Sequence, residues 1–237
     1  NDPVPFPINQ QAEIGMTRAT LVAPDQLRWR VVWSLSQFIV ASFTQGESPG
    51  WVGWTNLLYR HSFGNYGELL RGVSVDPHMA HFLDNDQNRP KSPECPHCAP
   101  NENYARELMQ LFSIGLYQLN LDGTPKTDAQ GNRIESYSQA DVTNLARVFT
   151  GYDIDMSQNV NTFDAVLNRN IPNTTPARLP MVLNASRHST LAATFLGVTI
   201  PANTPGAAEL ATALGQVGAV SAALKVFLTC VSATRSC

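Results

Sequence analysis

The sequence is short of charge. Asp, Glu, Lys and Arg make up 15% of its 237 residues, against about a quarter in an average globular protein. The formal net charge is −3, and there is no run of basic residues. Such a chain creates no positive field for nucleic acid or anionic lipid, so we predict no nucleic-acid partner.

Long apolar runs are also missing. A membrane-spanning helix needs about 18 or more consecutive apolar residues, and no segment reaches that length. The strongest apolar stretch, residues 31–43, is interrupted by serine and glutamine. We therefore predict a core helix there and no transmembrane segment.

Familiar catalytic signatures are absent as well. The chain has no Gly-x-Ser-x-Gly elbow, no phosphate-binding Walker loop, no dinucleotide fingerprint and no His-Glu-x-x-His pair. Since no specific motif implies a cofactor, its identity stays unknown, and we assign no metal site. His61 and Ser62 are adjacent, but sequence neighbours rarely form a productive catalytic dyad.

Apolar residues at helical spacing dominate what is present. Asp76-Pro77 is typical of a helix start, and Ser138 with Asp141 forms the Asp variant of a capping box. Gly151 is placed to end the helix that follows. The predicted helices cover about residues 24–43, 52–60, 65–73, 77–83, 102–116 and 139–150.

Residues 117–123 and 131–137 resemble two short strands around a turn-rich insert. The predicted fold class is therefore mainly α, an irregular multi-helix domain with one small β-hairpin near 117–137. Residues 1–20 are rich in Pro and Gln and are expected to be irregular. We predict a single helical domain over 21–205, followed by an atypical tail over 206–237.

The segment 99–116 carries the richest candidate chemistry. Asn103 and Glu107 share one helix face, with Arg106 at its edge. Glu102 and Arg106 are four residues apart, in the favourable acid-before-base order. Glu107 fits a general base or carboxylate ligand, with Arg106 orienting an anionic substrate. The competing interpretation is a buried Arg–Glu network that clamps this helix to its neighbours.

Histidines offer a second set of candidates. His61 and His188 each precede a loop, where functional residues concentrate, and either can be a base, a ligand or a helix cap. A metal site built from these two with Glu107 is conceivable. His78 and His81 are three residues apart, but a closed site needs more ligands, so surface or packing roles are favoured for them.

Cys95-Pro-His-Cys98 lies in a polar loop between predicted helices. A local structural disulfide is the favoured interpretation. Half of a zinc site and a redox pair remain open, although thiol–disulfide catalysis requires a thioredoxin-like βαβ context. Asp122 and Asp128 lack the spacing of a calcium loop and are interpreted as turn residues.

Several phrases occur together in order and resemble one family. They are residues 23–37 (APDQLRWRVVWSLSQ), 61–66 (HSFGNY), 79–85 (MAHFLDN), 101–108 (NENYAREL), 137–142 (YSQADV), 146–152 (ARVFTGY), 188–190 (HST) and 195–202 (FLGVTIPA). The family is the bacterial one called domain of unknown function 1800, and the resemblance covers roughly residues 20–215.

The resemblance implies a mostly helical bacterial protein of a family whose members are typically longer and often exported. It supplies no reaction. It also implies that a family region before Asn1 is missing. After about Ala213 the family pattern is lost, and the tail resembles foreign or out-of-frame sequence.

Two functions are carried forward. The first is an exported, periplasmic or secreted protein with an envelope-associated binding or structural role, whose partner is another exported protein or an extracellular polymer. The second is an envelope hydrolase of ester, glycoside or peptide bonds, with or without a metal. The candidate catalytic residues are Glu107, Arg106, His188 and His61. The candidate substrate-binding residues are Asn103, Glu102, Asp141 and Arg147.

Overall fold

The computed structural model describes residues 8–42, 48–171, 173 and 176–220. Within these residues the chain forms eight α-helices and six strands of two or three residues each. The prediction of a mainly α fold with only small β elements is confirmed.

The helices account for most of the regular secondary structure of the described residues. In chain order they are α1 (Ile8–Val22), α2 (Gln26–Ser36), α3 (Ser48–His61), α4 (Tyr66–Ser74), α5 (Pro77–Phe82), α6 (Asn103–Gln110), α7 (Gln139–Val148) and α8 (Gly206–Val220).

The strands all lie in the second half of the chain. They are β1 (Tyr152–Asp153), β2 (Thr162–Asp164), β3 (Arg169–Ile171), β4 (Val182–Leu183), β5 (Ala193–Phe195) and β6 (Val198–Ile200). β1 pairs with β4, whereas β2–β3 and β5–β6 are antiparallel hairpins. Two short 3₁₀ helices occupy Pro176–Arg178 and Ala185–Arg187.

The chain divides into two compact units, each built from two separate stretches of sequence. The first unit comprises the described residues of Asn1–Gln87 and Tyr152–Val182, and the second those of Asn88–Gly151 and Leu183–Cys237. Compactness does not establish independent folding, so the domain boundaries at 20 and 205 stay a prediction.

Helix α3 is the centre of the first unit. It packs against α1, α2, α4, α5 and the 3₁₀ helix at Pro176–Arg178. Trp54 and Leu58 of α3 are buried, and each large apolar side chain removed from water stabilises the fold by about 1.5–3 kcal/mol. Asp76 caps α5 by accepting hydrogen bonds from two backbone N–H groups, as its place before Pro77 predicts.

The second unit is organised around α7. Its start is fixed by a reciprocal capping box between Ser138 and Asp141, which confirms the sequence prediction. Tyr104 of α6 packs edge-on against Phe149, with ring centres 4.8 Å apart and both residues buried. Helix α7 also contacts α6, α8 and β5.

Residues 117–136 form three short antiparallel contacts rather than two regular strands. Isolated bridges pair Tyr117 with Glu135, Leu119 with Pro125, and Thr127 with Arg133. The predicted pairing of 117–123 with 131–137 is therefore present, but the insert between them supplies a third segment. Asp122 and Asp128 accept hydrogen bonds from backbone N–H groups two to four residues later, so they act as turn residues.

Four local predictions need correction. Residues 8–22 form α1 although 1–20 were expected to be irregular, because the prolines that motivated that expectation lie before Ile8; residues 1–7 are outside the described ranges. Helix α2 ends at Ser36 instead of continuing to 43. The hydroxyl of Ser36 and the amide of Gln37 both donate to the Trp33 carbonyl and compete with the backbone ladder.

Helix α6 also ends earlier than predicted, at Gln110 rather than 116. The N–H groups of Ile114 and Gly115 both donate to the Met109 carbonyl at 2.9 Å, and Gly115 has φ +82°, a left-handed conformation that favours glycine. Leu111, directly after the helix, is exposed. Helix α7 ends at Val148 with Phe149 as its C-cap, so Gly151 is not the cap.

In the part of the chain that the structure describes, no helix has both the length and the hydropathy needed to cross a bilayer.

Candidate functional site

Glu102 is the centre of a hydrogen-bond network that joins α6 to α7. Its Oε2 accepts from Arg106 Nη2 at 3.0 Å and from Gln139 Nε2 at 2.8 Å. Its Oε1 accepts from the Thr143 hydroxyl at 2.7 Å. Arg106 Nη2 also donates to Gln139 Oε1 at 3.0 Å. The Arg106 guanidinium is therefore held in one orientation by two partners.

The network lowers the pKa of the Glu102 carboxyl. The Thr143 hydrogen bond is the largest of the causes that lower the pKa of Glu102, with Gln139 and Arg106 adding to it against a smaller desolvation effect. Glu102 is consequently ionised at neutral pH, and its charge balances that of Arg106. The spacing of four residues between Glu102 and Arg106 predicts an ion pair, and the structure contains it.

A polar cleft of about 260 Å³ opens beside this network. Two tyrosine rings and two aliphatic side chains supply apolar surface, and the other side chains supply hydrogen-bond donors and acceptors. Its lining residues are Arg106, Leu116, Tyr117, Glu135, Tyr137, Ser138, Gln139 and Val142. The Arg133 guanidinium lies 5.4 Å from the ring centre of Tyr117, which adds a cation–π contact to that ring.

Glu107 and Tyr137 lie near the same network and leave hydrogen-bonding capacity unused. Glu107 Oε2 and the Tyr137 hydroxyl are each buried without a hydrogen-bond partner among the described residues. Burial raises the pKa of Glu107, and the charge of Arg106 opposes this. Burial also raises the pKa of Tyr137, and Arg106 again opposes the shift while Glu107 adds to it.

His188 belongs to a second buried group, and its partners lie in α8 and in the turn after α7. Its Nδ1 is 2.7 Å from the Thr150 carbonyl oxygen, and its Nε2 is 3.2 Å from Glu209 Oε2. The His188 and Glu209 side chains are 8% and 2% exposed. Since a carbonyl can only accept, Nδ1 carries a hydrogen, and one further proton is shared between Nε2 and the Glu209 carboxyl. Burial raises the pKa of Glu209, against the effect of His188.

Two glycines allow this close packing. Gly151 has φ +79°, and a Cβ there would lie 2.8 Å from the Asn184 carbonyl oxygen and from the His188 amide nitrogen. A Cβ on Gly206 would lie 2.6 Å from Leu183 Cδ2 and 3.1 Å from His188 Nε2. Side chains at either position would displace the imidazole or the backbone around it.

Asp141 and Arg147 connect α7 to the β5–β6 segment. Asp141 Oδ1 accepts from the Leu196 amide at 2.7 Å, while its other oxygen completes the capping box at Ser138. Arg147 Nη1 donates to the Ala192 carbonyl at 3.0 Å. Both side chains therefore hold the fold of the second unit together.

One family pattern matches residues 7–226, which is most of the chain, and its description is "Protein of unknown function (DUF1800)". The chain belongs to the DUF1800 family. No curated protein and no solved structure matches it. The match begins before residue 20 and continues past 215, so it includes α1 and α8 as well as the phrases that carry the resemblance.

The DUF1800 chain brings only some of the predicted site residues together. Arg106 pairs with Glu102 and not with Glu107. Both ring nitrogens of His188 are occupied by Thr150 and Glu209, so neither is free to act as a base on Glu107 or on a substrate.

The remaining candidates are dispersed. His61 is the last residue of α3 and belongs to the first unit. Asn103 opens α6 and is exposed. Asp141 and Arg147, expected to bind substrate, are engaged in the contacts described above. Their assignment to substrate binding stays a prediction that these contacts do not favour.

Cys95 and Cys98 form a disulfide, with Cα atoms 5.4 Å apart, as their spacing predicts. Because both sulfurs are in this bond, neither is a thiolate ligand for zinc. Cys230 and Cys237 lie outside the described residues. Across the described part of the DUF1800 chain, no cluster of three or more His, Cys, Asp or Glu side chains is arranged to hold a metal ion.

Sequence reasoning missed Tyr137, Gln139, Thr143 and Glu209. Gln139 and Thr143 occupy successive turns at the start of α7, and this spacing could have placed them on one face toward Glu102. Glu209 was overlooked because it lies in the segment interpreted as an atypical tail. It is the only acidic residue between 206 and 220, and an acid alone in an apolar helix is a signal of a buried partner.

Proposed function

We propose that this DUF1800 protein is an exported binding protein whose second unit holds a short segment of a neutral extracellular polysaccharide. The observation that carries the proposal is the cleft beside Arg106, in which fixed polar groups stand next to two tyrosine rings. This develops the expectation of an envelope-associated binding role for an extracellular polymer.

The chemistry of the cleft fits a polyhydroxylated ligand. A sugar ring presents C–H groups on its faces and hydroxyls at its edge, so it packs on aromatic rings and exchanges hydrogen bonds with planar polar side chains. Tyr117 and Tyr137 offer the rings, while Arg106, Gln139 and Glu135 offer donors and acceptors. Because the cleft contains one cationic and one anionic side chain, it favours a neutral ligand over a charged one.

Preorganisation supports binding as well. Arg106 and Gln139 are each fixed by Glu102, so little side-chain entropy would be lost when a ligand engages them. Export is supported by the Cys95–Cys98 disulfide, since such bonds persist in oxidising compartments.

The experiment is calorimetric titration of the full chain with short neutral oligosaccharides, namely cellohexaose, maltohexaose and chitohexaose. We expect at least one to bind and Tyr117→Phe to weaken it by about threefold to tenfold, the value of one hydrogen bond. Tyr117→Phe should leave stability nearly unchanged, because Tyr117 is only half-buried.

Tyr66→Phe makes the same chemical change in the first unit and serves as the matched control. It should leave oligosaccharide affinity unchanged. If none of the three sugars binds, or if both tyrosine variants weaken binding equally, the cleft is not the binding site and the proposal is wrong.

A second candidate function is hydrolysis near the same network, favoured by Glu107. Its buried, unpartnered Oε2 and raised pKa are properties of a general acid. Glu107 is not among the residues that line the cleft, so a substrate would have to reach it past Arg106 or Tyr137. Glu107→Gln separates the two functions: a hydrolase would lose turnover of a bound oligosaccharide, whereas a binding protein would show none in either form.

A further inference from the structure

The β2–β3 hairpin of the first unit and the residues before it expose a cluster of large apolar side chains. Between 50% and 93% of the surface is exposed at Met156, Val160, Phe163, Val166 and Leu167. Single exposed apolar residues are common on protein surfaces, whereas a cluster of them marks an interaction site. We refer to residues 160–171 as the arm.

The described part of the first unit does not cover the arm. Strands β2 and β3 pair with each other, and no third strand joins them in the described residues. Residues 160–163 and 165–170 are all exposed. A lone two-stranded hairpin has marginal stability in water, so the arm would be stabilised by a surface that packs against it.

The tip of the arm is held in one conformation by its own turn. Asp164 Oδ1 accepts hydrogen bonds from the backbone N–H groups of Val166 at 2.8 Å and Leu167 at 2.9 Å. Asp164 and Arg169 form the last pair of the hairpin register, so residues 165–168 make the turn. Because the tip is ordered before it meets a partner, little conformational entropy would be lost on binding.

A mainly apolar cleft of about 280 Å³ lies in the same unit. Its apolar lining residues are Pro77, Ile154, Met156, Pro176 and Ala177. A dry cavity of about 150 Å³ can hold benzene, so this cleft has room for aliphatic side chains of the size of valine and leucine.

The arm of the same chain does not fill this cleft. None of residues 160–171 lines it, and Val166 at the tip is 93% exposed. Within the described residues, the tip and the cleft are therefore two apolar surfaces of one chain that are both open to a second molecule.

Opposite charges accompany these two surfaces. Arg169 follows the tip and is exposed. Asp86 lines the cleft, and its side chain is 25% exposed. The 3.8 Å between Asp86 Oδ2 and His81 Nδ1 is longer than a hydrogen bond. The Asp86 carboxylate can therefore accept from a guanidinium that arrives with the tip.

The charges also favour a protein partner over a membrane. Residues 160–171 carry one aspartate and one arginine, so the arm has no net positive charge to attract anionic lipid. Since the tip and the cleft belong to one chain, two copies related by a two-fold axis would each supply both. A second copy is the partner that satisfies both surfaces at once.

We propose that the arm is a dimerisation element. Val166 and Leu167 of one copy enter the cleft of a second copy, Arg169 pairs with Asp86 of that copy, and the exchange is reciprocal. A contact of this size is typical of weak, transient complexes, so we expect a Kd of about 10 µM. The proposal concerns the first unit and does not depend on the polysaccharide proposed for the second.

Sedimentation velocity of the full chain at pH 7 and physiological salt tests the proposal. The concentration series runs from about 1 to about 300 µM, which brackets the expected Kd. The 25.9 kDa chain should sediment as a monomer at the lowest concentration and as a dimer at the highest.

Leu167→Asp removes apolar surface from the tip and would bury a carboxylate in the cleft. It should weaken the dimer by about tenfold or more. Leu121→Asp makes the same chemical change at an 89% exposed position of the second unit and serves as the matched control. It should leave the Kd unchanged.

A charge exchange tests the pairing of Arg169 with Asp86. Arg169→Glu and Asp86→Lys should each weaken the dimer, and the double variant should restore much of the lost affinity because opposite charges meet again. If Asp86→Lys does not fold, Arg169→Glu and Leu167→Asp decide together, since both of these positions are exposed.

A monomer at every concentration would overturn the proposal. Equal effects of the Leu167 and Leu121 variants would do the same, as would a double charge variant that associates no more tightly than either single one. A monomer that binds phosphatidylcholine vesicles through Leu167 would also overturn it and would assign the arm to a membrane surface instead.

Discussion

The imidazole of His188 and the carboxyl of Glu209 face each other across 3.2 Å in the interior of the second unit. The pair is neutral as a whole, whether the shared proton resides on Nε2 or on the carboxyl. One oxygen, Glu209 Oε1, has no hydrogen-bond partner among the described residues. Since His188 Nδ1 also contacts the Thr150 carbonyl oxygen, the pair links α8 to the turn after α7.

Removal of one partner should be costly. Glu209→Ala leaves His188 Nε2 buried without its partner, so we expect the free energy of unfolding to fall by about 3–5 kcal/mol. Glu209→Gln can donate from its amide to a neutral imidazole and should lose less than half of that. Urea denaturation of the full chain measures both values.

Glu68→Ala, which breaks an exposed pair with Arg71, is the control and should cost no more than about 1 kcal/mol. Equal losses in Glu209→Ala and Glu68→Ala would contradict a structural role for the buried pair.

The Asp76 cap should make stability depend on pH. Burial raises the pKa of Asp76 from 3.8 to about 6, against the opposing effects of two backbone hydrogen bonds and Arg60. The folded state thus holds the proton more tightly than the unfolded state. The Asp76 contribution to stability is fully present below about pH 4 and is lost as the pH rises through about 6, a change of about 3 kcal/mol.

Asp76→Asn isolates that contribution, because its carbonyl oxygen can still accept from the amides of His78 and Met79. The variant should match the wild type in urea denaturation near pH 4 and become relatively more stable by pH 7. Carboxyls with lowered pKa values, such as Glu102, produce the opposite trend in both proteins and cancel in the difference. A wild-type minus variant difference that stays constant from pH 4 to 7 would show that Asp76 is not titrating there.

Gly151 should not tolerate a side chain. It shares a positive φ with Gly123, at +79° and +81°, so alanine at either position costs about 1–2 kcal/mol of backbone strain. Only at Gly151 would the new Cβ also meet backbone atoms, at 2.8 Å, since nothing lies within 4 Å of it at Gly123. We expect Gly151→Ala to lower the free energy of unfolding by at least about 2 kcal/mol more than Gly123→Ala. Equal losses in thermal or urea unfolding would mean that the backbone around His188 can move aside.

The Cys95–Cys98 bond should form without added oxidant in an exported preparation. Peptide mapping by mass spectrometry under non-reducing conditions should recover one internally linked peptide containing both cysteines. Replacing both by serine should cost about 2 kcal/mol or less, because the closed loop is very short. A preparation with two free thiols at these positions would remove the main support for export while leaving the cleft untouched.

Local chemistry is what the sequence predicts well. The caps at Asp76 and Ser138, and the Cys95–Cys98 bond, depend on residues within four positions of each other, so their spacing alone is informative. The Glu102–Arg106 pair belongs to the same class. The end of α6 at Gln110 was not predicted, because Gly115 lies five residues further on. Only the structure shows that the Gly115 N–H donates to the Met109 carbonyl.

Contacts between residues far apart in sequence cannot be predicted from hydrophobic periodicity. His188 was a candidate base from the sequence. In the structure its ring nitrogens contact Thr150, 38 positions away in sequence, and Glu209, 21 positions away. In the same way, the orientation of Arg106 depends on Gln139, 33 positions later. No single-sequence pattern specifies which polar side chains meet across such separations, so the sequence predicted the chemical groups of the site but not their partners.

The interleaved make-up of the two units has a consequence for how the chain is made. The first unit needs Tyr152–Val182, and the second needs Leu183 onward, so the polypeptide passes between them three times. On a ribosome, residues 88–151 emerge before the first unit has received its last strands and its 3₁₀ helix. The first unit is therefore complete only after Val182 has emerged, when residues 88–151 of the second unit are already made and still lack the segment that starts at Leu183.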